Sequence, residues 1–268
     1  MSSPPAFASH LEVERKFQPT ASLKAYLHGN GKDLESFMLH NELPTPRSYY
    51  DQTLSFVRLP DKLICDAYFD LDGVLASKGI WVRNRTSRAV GNEDLPLVAV
   101  SKEVSNLEAK VRLAGDYADS QFLELEGESS IRDLLQQRVP ETRLEGLKIS
   151  ADLKTHRKTW IIHETPKWQN AERKPEIRID LDDVTTSIAP SNGYVGLKHE
   201  VGELEMTTEV IGGADEAEHM KTRLRVSADM HMALQEFMTR HKTLFTSTVK
   251  PKGKLEAYFD WQKNMSSS

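Results

Sequence analysis

The sequence predicts a mainly β, α+β fold in which an antiparallel sheet closes into a barrel with helices packed on its outside. Three observations carry this expectation. Many segments alternate apolar and charged residues with a period of two, helical windows are few, and the charged faces are segregated by sign from strand to strand. A period of two belongs to strands whose two faces meet different surroundings. If the sheet closes, the charged faces line a lumen and the apolar faces need a cover of helices.

Residues 1–7 and 263–268 read as flexible tails, and one domain is expected over 8–262. Leu11, Val13 and Phe17 alternate with Glu12, Glu14 and Lys16 in a first strand, and a short helix is expected near 20–28. Residues 29–66 and 86–105 contain Pro and Asn and read as long inserted connections. Between them, Trp81 to Arg85 forms a strand. Leu107, Ala109, Val111 and Leu113 alternate with Glu108, Lys110 and Arg112, and Leu123 and Leu125 with Glu124 and Glu126. A helix over 130–139 precedes a strand at 154–162. Then Ile177, Ile179 and Leu181 alternate with Arg178, Asp180 and Asp182, and Leu204 and Met206 with Glu203 and Glu205. A long helix is expected from about Asp215 to Leu244, with Met230, Met232 and Met238 packing on the barrel, before Pro251 and Gly253 interrupt the chain.

Composition narrows the function. The chain has 268 residues, 38% apolar and 28% charged, and a formal charge of −5. Without a local basic patch, such a surface attracts neither nucleic acid nor anionic membrane. Cys65 is the single cysteine, so no intrachain disulfide forms. No run of about 18 apolar residues is present, and the first residues lack a basic and apolar leader. A soluble, cytoplasmic and monomeric protein is expected.

One stretch, 68–85, offers two incompatible sites. Asp70-Leu71-Asp72-Gly73 resembles the nucleophile loop of haloacid-dehalogenase-like phosphatases. That loop ends a buried parallel strand and leads into a crossover helix. Here only 76–80 separate it from the next strand, so a turn between antiparallel strands is expected. The phosphate loop GxxxxGK[ST] and the metal motif HExxH are absent, and one cysteine supplies no zinc cluster.

The other half of the stretch carries Arg83 and Arg85. Guanidinium forks grip phosphate oxygens bidentately, which suits a triphosphate. The paired carboxylates would repel phosphate unless a hard divalent cation, magnesium or manganese, stood between.

Glu12-Val13-Glu14-Arg15-Lys16 matches the ExExK signature of the CYTH superfamily of triphosphate tunnel enzymes. Further motifs follow in the superfamily's order, and they are most similar to those of thiamine triphosphatases. Ala67-Tyr68-Phe69-Asp70 resembles the tyrosine-aspartate strand and Trp81-Val82-Arg83-Asn84-Arg85 the WLRxR strand. Leu107 to Lys110, Phe122 to Leu125, His156 to Trp160, Ile179 to Asp182 and Val201 to Glu205 resemble the later strands, and Lys254 the lysine near the end. Leu71 stands where those enzymes carry threonine. Lys102 competes with Lys110 for the middle lysine, and Tyr49-Tyr50-Asp51 mimics the tyrosine-aspartate motif within the first connection.

The resemblance implies an eight-stranded tunnel that hydrolyses thiamine triphosphate with magnesium or manganese. It implies substrate contacts from Glu12, Glu14, Lys16, Trp81, Arg83, Arg85, Lys110, Arg157 and Lys254, and metal ligands among Glu12, Glu14, Glu124, Asp180, Asp182, Glu203 and Glu205. Lys16, Arg85, Arg157 and Glu205 are the implied catalytic groups. Trp81 falls on the face of Arg83 and Arg85, so it is expected at the lumen's mouth, stacked on the thiazolium. Inorganic tripolyphosphate, a nucleotide or a silent polyphosphate-binding role are the alternatives.

Overall fold

Alternating strands hide one face from water only if the sheet closes or stacks. Here it closes. The computed structural model describes residues 8–28, 54–90, 104–115, 119–164, 176–186, 196–211, 215–245 and 250–266. Its strands are β1 (Ala8–Phe17), β2 (Leu54–Arg58), β3 (Asp61–Asp70), β4 (Ile80–Val90), β5 (Val104–Gly115), β6 (Asp119–Glu126), β7 (Lys148–Glu164), β8 (Ile177–Thr186) and β9 (Lys198–Ile211). They run in the order β2-β7-β3-β4-β5-β6-β1-β9-β8, and a β7–β8 pairing joins the ends. Among the described residues the result is a closed antiparallel barrel of eight strands with one extra strand. β3 pairs with the first half of β7, and β2 continues along the same edge from Trp160 to Glu164.

Register fixes which residues face inward. Glu14 lies opposite Glu205, Lys16 opposite Glu203, Glu203 opposite Asp180, Asp182 opposite Arg157, and Lys110 opposite both Glu124 and Trp81. Directly opposed residues share a face, so these all point into the lumen. The alternate positions point out. Val13, Phe17, Trp160, Leu204 and Met206 pack under the helices Ala21–His28 and Glu216–Arg240, the latter contributing Met230, Leu234 and Phe237. Val82, Ala109 and Val111 pack under the helix Glu128–Arg138 through Ile131, Leu134 and Leu135. Each fully buried Leu or Phe contributes about 1.5–3 kcal/mol.

The C-terminal helix Lys254–Ser266 takes a different place. Its Leu255, Tyr258 and Trp261 pack on Tyr68, Ala151, Leu153, Val184 and Leu197. By register, Tyr68, Ala151, Leu153 and Val184 are inward-facing. The helix therefore plugs one end of the barrel.

Several boundaries differ from the sequence reading. Residues 54–58 and 61–66, expected in a connection, are strand because the inner face of β3 mixes Lys62, Ile64, Asp66 and Tyr68, and Pro60 breaks the run. Ile64 is buried on that inner face between Lys62 and Asp66, so polarity does not alternate. β4 likewise continues to Val90 and β5 starts at Val104, while Lys102 and Tyr49-Tyr50-Asp51 lie outside the described residues. The long helix stops at Arg240 and a further turn spans Lys242–Phe245. Met232 is exposed rather than packed on the barrel. The chain is helical through Ser266, past the start of the expected tail. Among the described residues no helix is long and apolar enough to cross a membrane.

Gly202 on β9 shows how tightly the outer layer fits. A Cβ there would stand 2.2 Å from the Phe17 ring. Gly202→Ala is expected to destabilise the fold by about 1–3 kcal/mol through overpacking, which thermal unfolding would register as a lower Tm. An unchanged Tm would show that the Phe17 contact is loose.

Candidate active site

The DLDG stretch resolves first. Asp70 ends β3, and its carboxylate accepts hydrogen bonds from the backbone N–H groups of Leu71, Leu75 and Ala76 at 2.7, 2.8 and 3.1 Å. Asp72 (φ 52°) and Gly73 (φ 84°) turn the chain through the left-handed region into one helical turn, Val74–Ser77. Both oxygens of this carboxylate are engaged in holding a turn together, a structural role for Asp70.

The second half of the stretch faces the lumen. A cavity of about 300 Å³ runs between the strands and is lined from opposite walls by Lys16, Arg83, Arg85, Lys110, Arg157 and Lys254. Six sequence-predicted cations thus converge on one space. Each is met by a carboxylate. Arg85 holds Asp66 bidentately at 2.7 and 2.8 Å, Arg83 holds Glu108 at 2.7 Å, Lys110 holds Glu12 at 2.7 Å and Lys16 holds Glu14. Arg157 grips Asp182 with two bonds, at 2.8 and 2.6 Å, and reaches Asp180 at 2.6 Å and Glu203 at 3.0 Å. Lys254 adds a bond to Asp182 at 2.6 Å, which ties the plug helix to the barrel wall.

These pairings divide the carboxylates expected to bind metal. Asp180 and Asp182 are fully buried behind Arg157, outside the cavity's lining, and they hold its guanidinium in place. Glu12, Glu14, Glu203 and Glu205 line the cavity on the adjacent strands β1 and β9, and Glu124 joins them from β6.

Electrostatics separates this second group further. Glu203 is buried, which opposes its charge, but Lys254, Lys16 and Arg157 outweigh burial and hold it well below the ordinary carboxylate range. Glu124 is likewise lowered to about 2, against burial, by Lys110. Burial drives Glu205 the other way, and repulsion from Glu12 adds to it, so that its carboxyl is pushed up to about 8 even though Arg178 stands 2.6 Å away. Glu14 is raised too, by burial, against the pull of Lys16 and Lys110. On the wall formed by β1 and β9, burial and neighbouring carboxylates therefore favour a proton on Glu205 and Glu14, while the cations keep Glu203 ionised.

Among the described residues no three His, Cys, Asp or Glu side chains form a ready-made metal site. The donors fit magnesium or manganese in chemistry, being all oxygen and crowded enough to hold a proton at neutral pH.

The indole of Trp81 faces the lumen as expected but sits at the plugged end, beside Leu255 and edge-on to Phe122 at 5.7 Å. The Arg112 guanidinium lies 4.7 Å from its ring centroid. The expected position at the open mouth is thus corrected, because the C-terminal helix closes the barrel on Trp81's side.

The sequence reading passed over Asp66, Arg112, Phe122 and Arg178. Arg178 was within reach, since it is two residues before Asp180 on one strand face. Asp66 was hidden by the mixed polarity of β3.

Fold and site together define a closed barrel with a charged lumen in which cations and carboxylates face one another. No protein-family model matches the sequence, and neither does any curated protein. Among solved structures, the chain is similar to a protein of Pyrococcus horikoshii OT3 (TM-score 0.44, 13% identity, 93% of this chain and 98% of that one covered). It is also similar to a candidate adenylate cyclase of Bacillus halodurans (0.41, 16%, 92% and 97%). A third likeness is to a candidate adenylyl cyclase from Hippeastrum, described as having a dominant triphosphatase activity (0.40, 15%, 90% and 92%).

The raised Glu205 has a consequence for stability. Its folded-state pKa of about 8 lies above the ordinary 4.5, so the folded protein holds a proton that the unfolded chain releases. Its contribution is present below about pH 4.5 and is lost as pH rises through about 8. In EDTA, wild type is expected to lose stability relative to Glu205→Gln between about pH 5 and 8.5, measured by thermal unfolding. A constant difference across that range would show that Glu205 stays ionised.

Proposed function

We propose that the chain is a CYTH-type triphosphate tunnel enzyme that hydrolyses the terminal phosphate of a triphosphate. The observation that carries this reading is the cavity of about 300 Å³, with Arg and Lys on opposing walls and a carboxylate-rich wall between them. The volume suits a phosphate chain with a small organic group. The order of motifs along the sequence supports the family assignment.

In this reading Arg83, Arg85, Arg157, Lys16, Lys110 and Lys254 leave their carboxylates in part to grip phosphate oxygens, and Asp180 and Asp182 keep Arg157 oriented. Glu12, Glu14, Glu203 and Glu205 would hold magnesium or manganese, which supplies charge neutralisation for the phosphates. Water attacks the terminal phosphorus, and the P–O bond to the leaving diphosphate breaks. Phosphoryl transfer of this kind needs positioning and charge stabilisation rather than a covalent nucleophile. A cytoplasmic, monomeric enzyme acting on a small molecule is the proposed setting.

For the substrate we propose thiamine triphosphate. Trp81, Phe122 and Leu255 give the otherwise charged cavity an apolar, aromatic end where a ring would lie. One observation favours inorganic tripolyphosphate instead. The Arg112 cation already covers one face of the indole, leaving less of it for a thiazolium.

Phosphate release with magnesium tests both levels. Thiamine triphosphate is expected to be turned over, and Arg85→Ala and Glu203→Ala each to lose at least about a hundredfold in kcat/KM. Binding without release would point to a silent polyphosphate-binding module. Trp81→Ala is expected to raise KM for thiamine triphosphate far more than for tripolyphosphate; equal effects, or a wild-type preference for tripolyphosphate, would make the indole structural and the inorganic chain the substrate.

A further inference from the structure

Lys62 stands apart from the other inner-face cations. On β3 it lies directly opposite Arg157 on β7 and Ala89 on β4, so it shares the lumen face. It is exposed, and it is not among the residues lining the cavity. Among the described residues it has no carboxylate partner, whereas Lys16, Arg83, Arg85, Lys110, Arg157 and Lys254 all do. Its ammonium is destabilised by partial burial and by the like charges of Arg178 and Arg157, with Asp180 opposing them, which lowers it from the ordinary lysine range. A cation repelled by its neighbours is relieved by an anion, and none of the carboxylates beside it is available for this. A solvated surface lysine would be expected to point away from guanidinium groups rather than share their face.

The plug decides which way an anion extends. Leu255, Tyr258 and Trp261 fill the far end of the lumen against Tyr68 and Leu153, while Lys62 sits at the opposite end of β3 from Tyr68. A phosphate chain too long for the cavity can therefore project only toward Lys62.

We propose that Lys62 is a specificity-determining residue at the open end of the tunnel, where it binds the part of a linear phosphate chain that extends past the three units held inside. This rests on the triphosphatase reading and deepens it. Inorganic polyphosphates of four or more units should then bind more tightly than tripolyphosphate, because they alone reach the unpaired ammonium. Lys62 acts on chain length, not on the bond-breaking step.

Calorimetric titration of tripolyphosphate and of tetrapolyphosphate into the full chain, in magnesium buffer with phosphate release followed in parallel to correct the heats for turnover, tests the inference through affinity. Wild type is expected to bind the longer chain several-fold more tightly. Lys62→Ala should lose about tenfold in affinity for tetrapolyphosphate, the scale of one charge-assisted contact, and less than about twofold for tripolyphosphate. Lys62→Arg should restore the preference, and equal Tm values would show that all three proteins are folded. Equal losses for both chains, or no loss for either, would overturn the role of Lys62 and leave the triphosphatase reading standing. Failure of wild type to bind either chain would overturn that reading and the inference with it.

Discussion

The clasp of Arg157 by Asp182, extended to Asp180, Glu203 and Lys254, is the interaction around which the lumen is arranged. All five groups are buried or nearly so, and they come from β7, β8, β9 and the C-terminal helix. Charges taken out of water are tolerated only when paired and hydrogen-bonded. Removing one member of such a buried set typically costs about 3–5 kcal/mol, since the remaining charges lose their compensation. The clasp therefore links closure of the barrel at the β7–β8 seam, attachment of the plug and placement of the arginine proposed to grip phosphate.

The same logic gives the tunnel its two sides. Around Arg157 the cations dominate, lowering Asp182 on β8 from the usual carboxylate range and holding Glu203, on the neighbouring β9, well below it. On the β1–β9 side carboxylates face carboxylates, and Glu205 and Glu14 are pushed up. In the proposed reading a phosphate chain lies beside the first and a divalent cation beside the second. Neither ligand fits well alone, because the cations are engaged until something replaces their carboxylate partners, and the crowded carboxylates repel phosphate until their charge is met.

How far this was legible in the sequence follows from the polarity of each strand. β1, β5, β6, β8 and β9 alternate cleanly because a charged lumen lies on one side and a helix-covered core on the other, so Glu12, Lys16, Lys110, Glu203 and Glu205 could be assigned to one face. β3 could not be read this way. Its inner face passes from the charged cavity to the apolar plug, placing Lys62, Ile64, Asp66 and Tyr68 in one row, and both the strand and Asp66 were hidden in an expected connection. The plug itself carried no period-two or strong helical signal, yet it moves Trp81 from the mouth to the closed end. Two buried carboxylates, Asp180 and Asp182, look identical in sequence to the cavity-lining pair Glu203 and Glu205; only the reach of Arg157 across the seam distinguishes support from lining.

The central claim is that the tunnel cations become available to phosphate when a divalent cation occupies the carboxylate wall. The affinity for tripolyphosphate measured with magnesium and again in EDTA tests it most directly. The account predicts tight binding with magnesium and at least about tenfold weaker binding without it, a difference of about 1.4 kcal/mol or more. Equal affinity under both conditions, or tighter binding in EDTA, would contradict it.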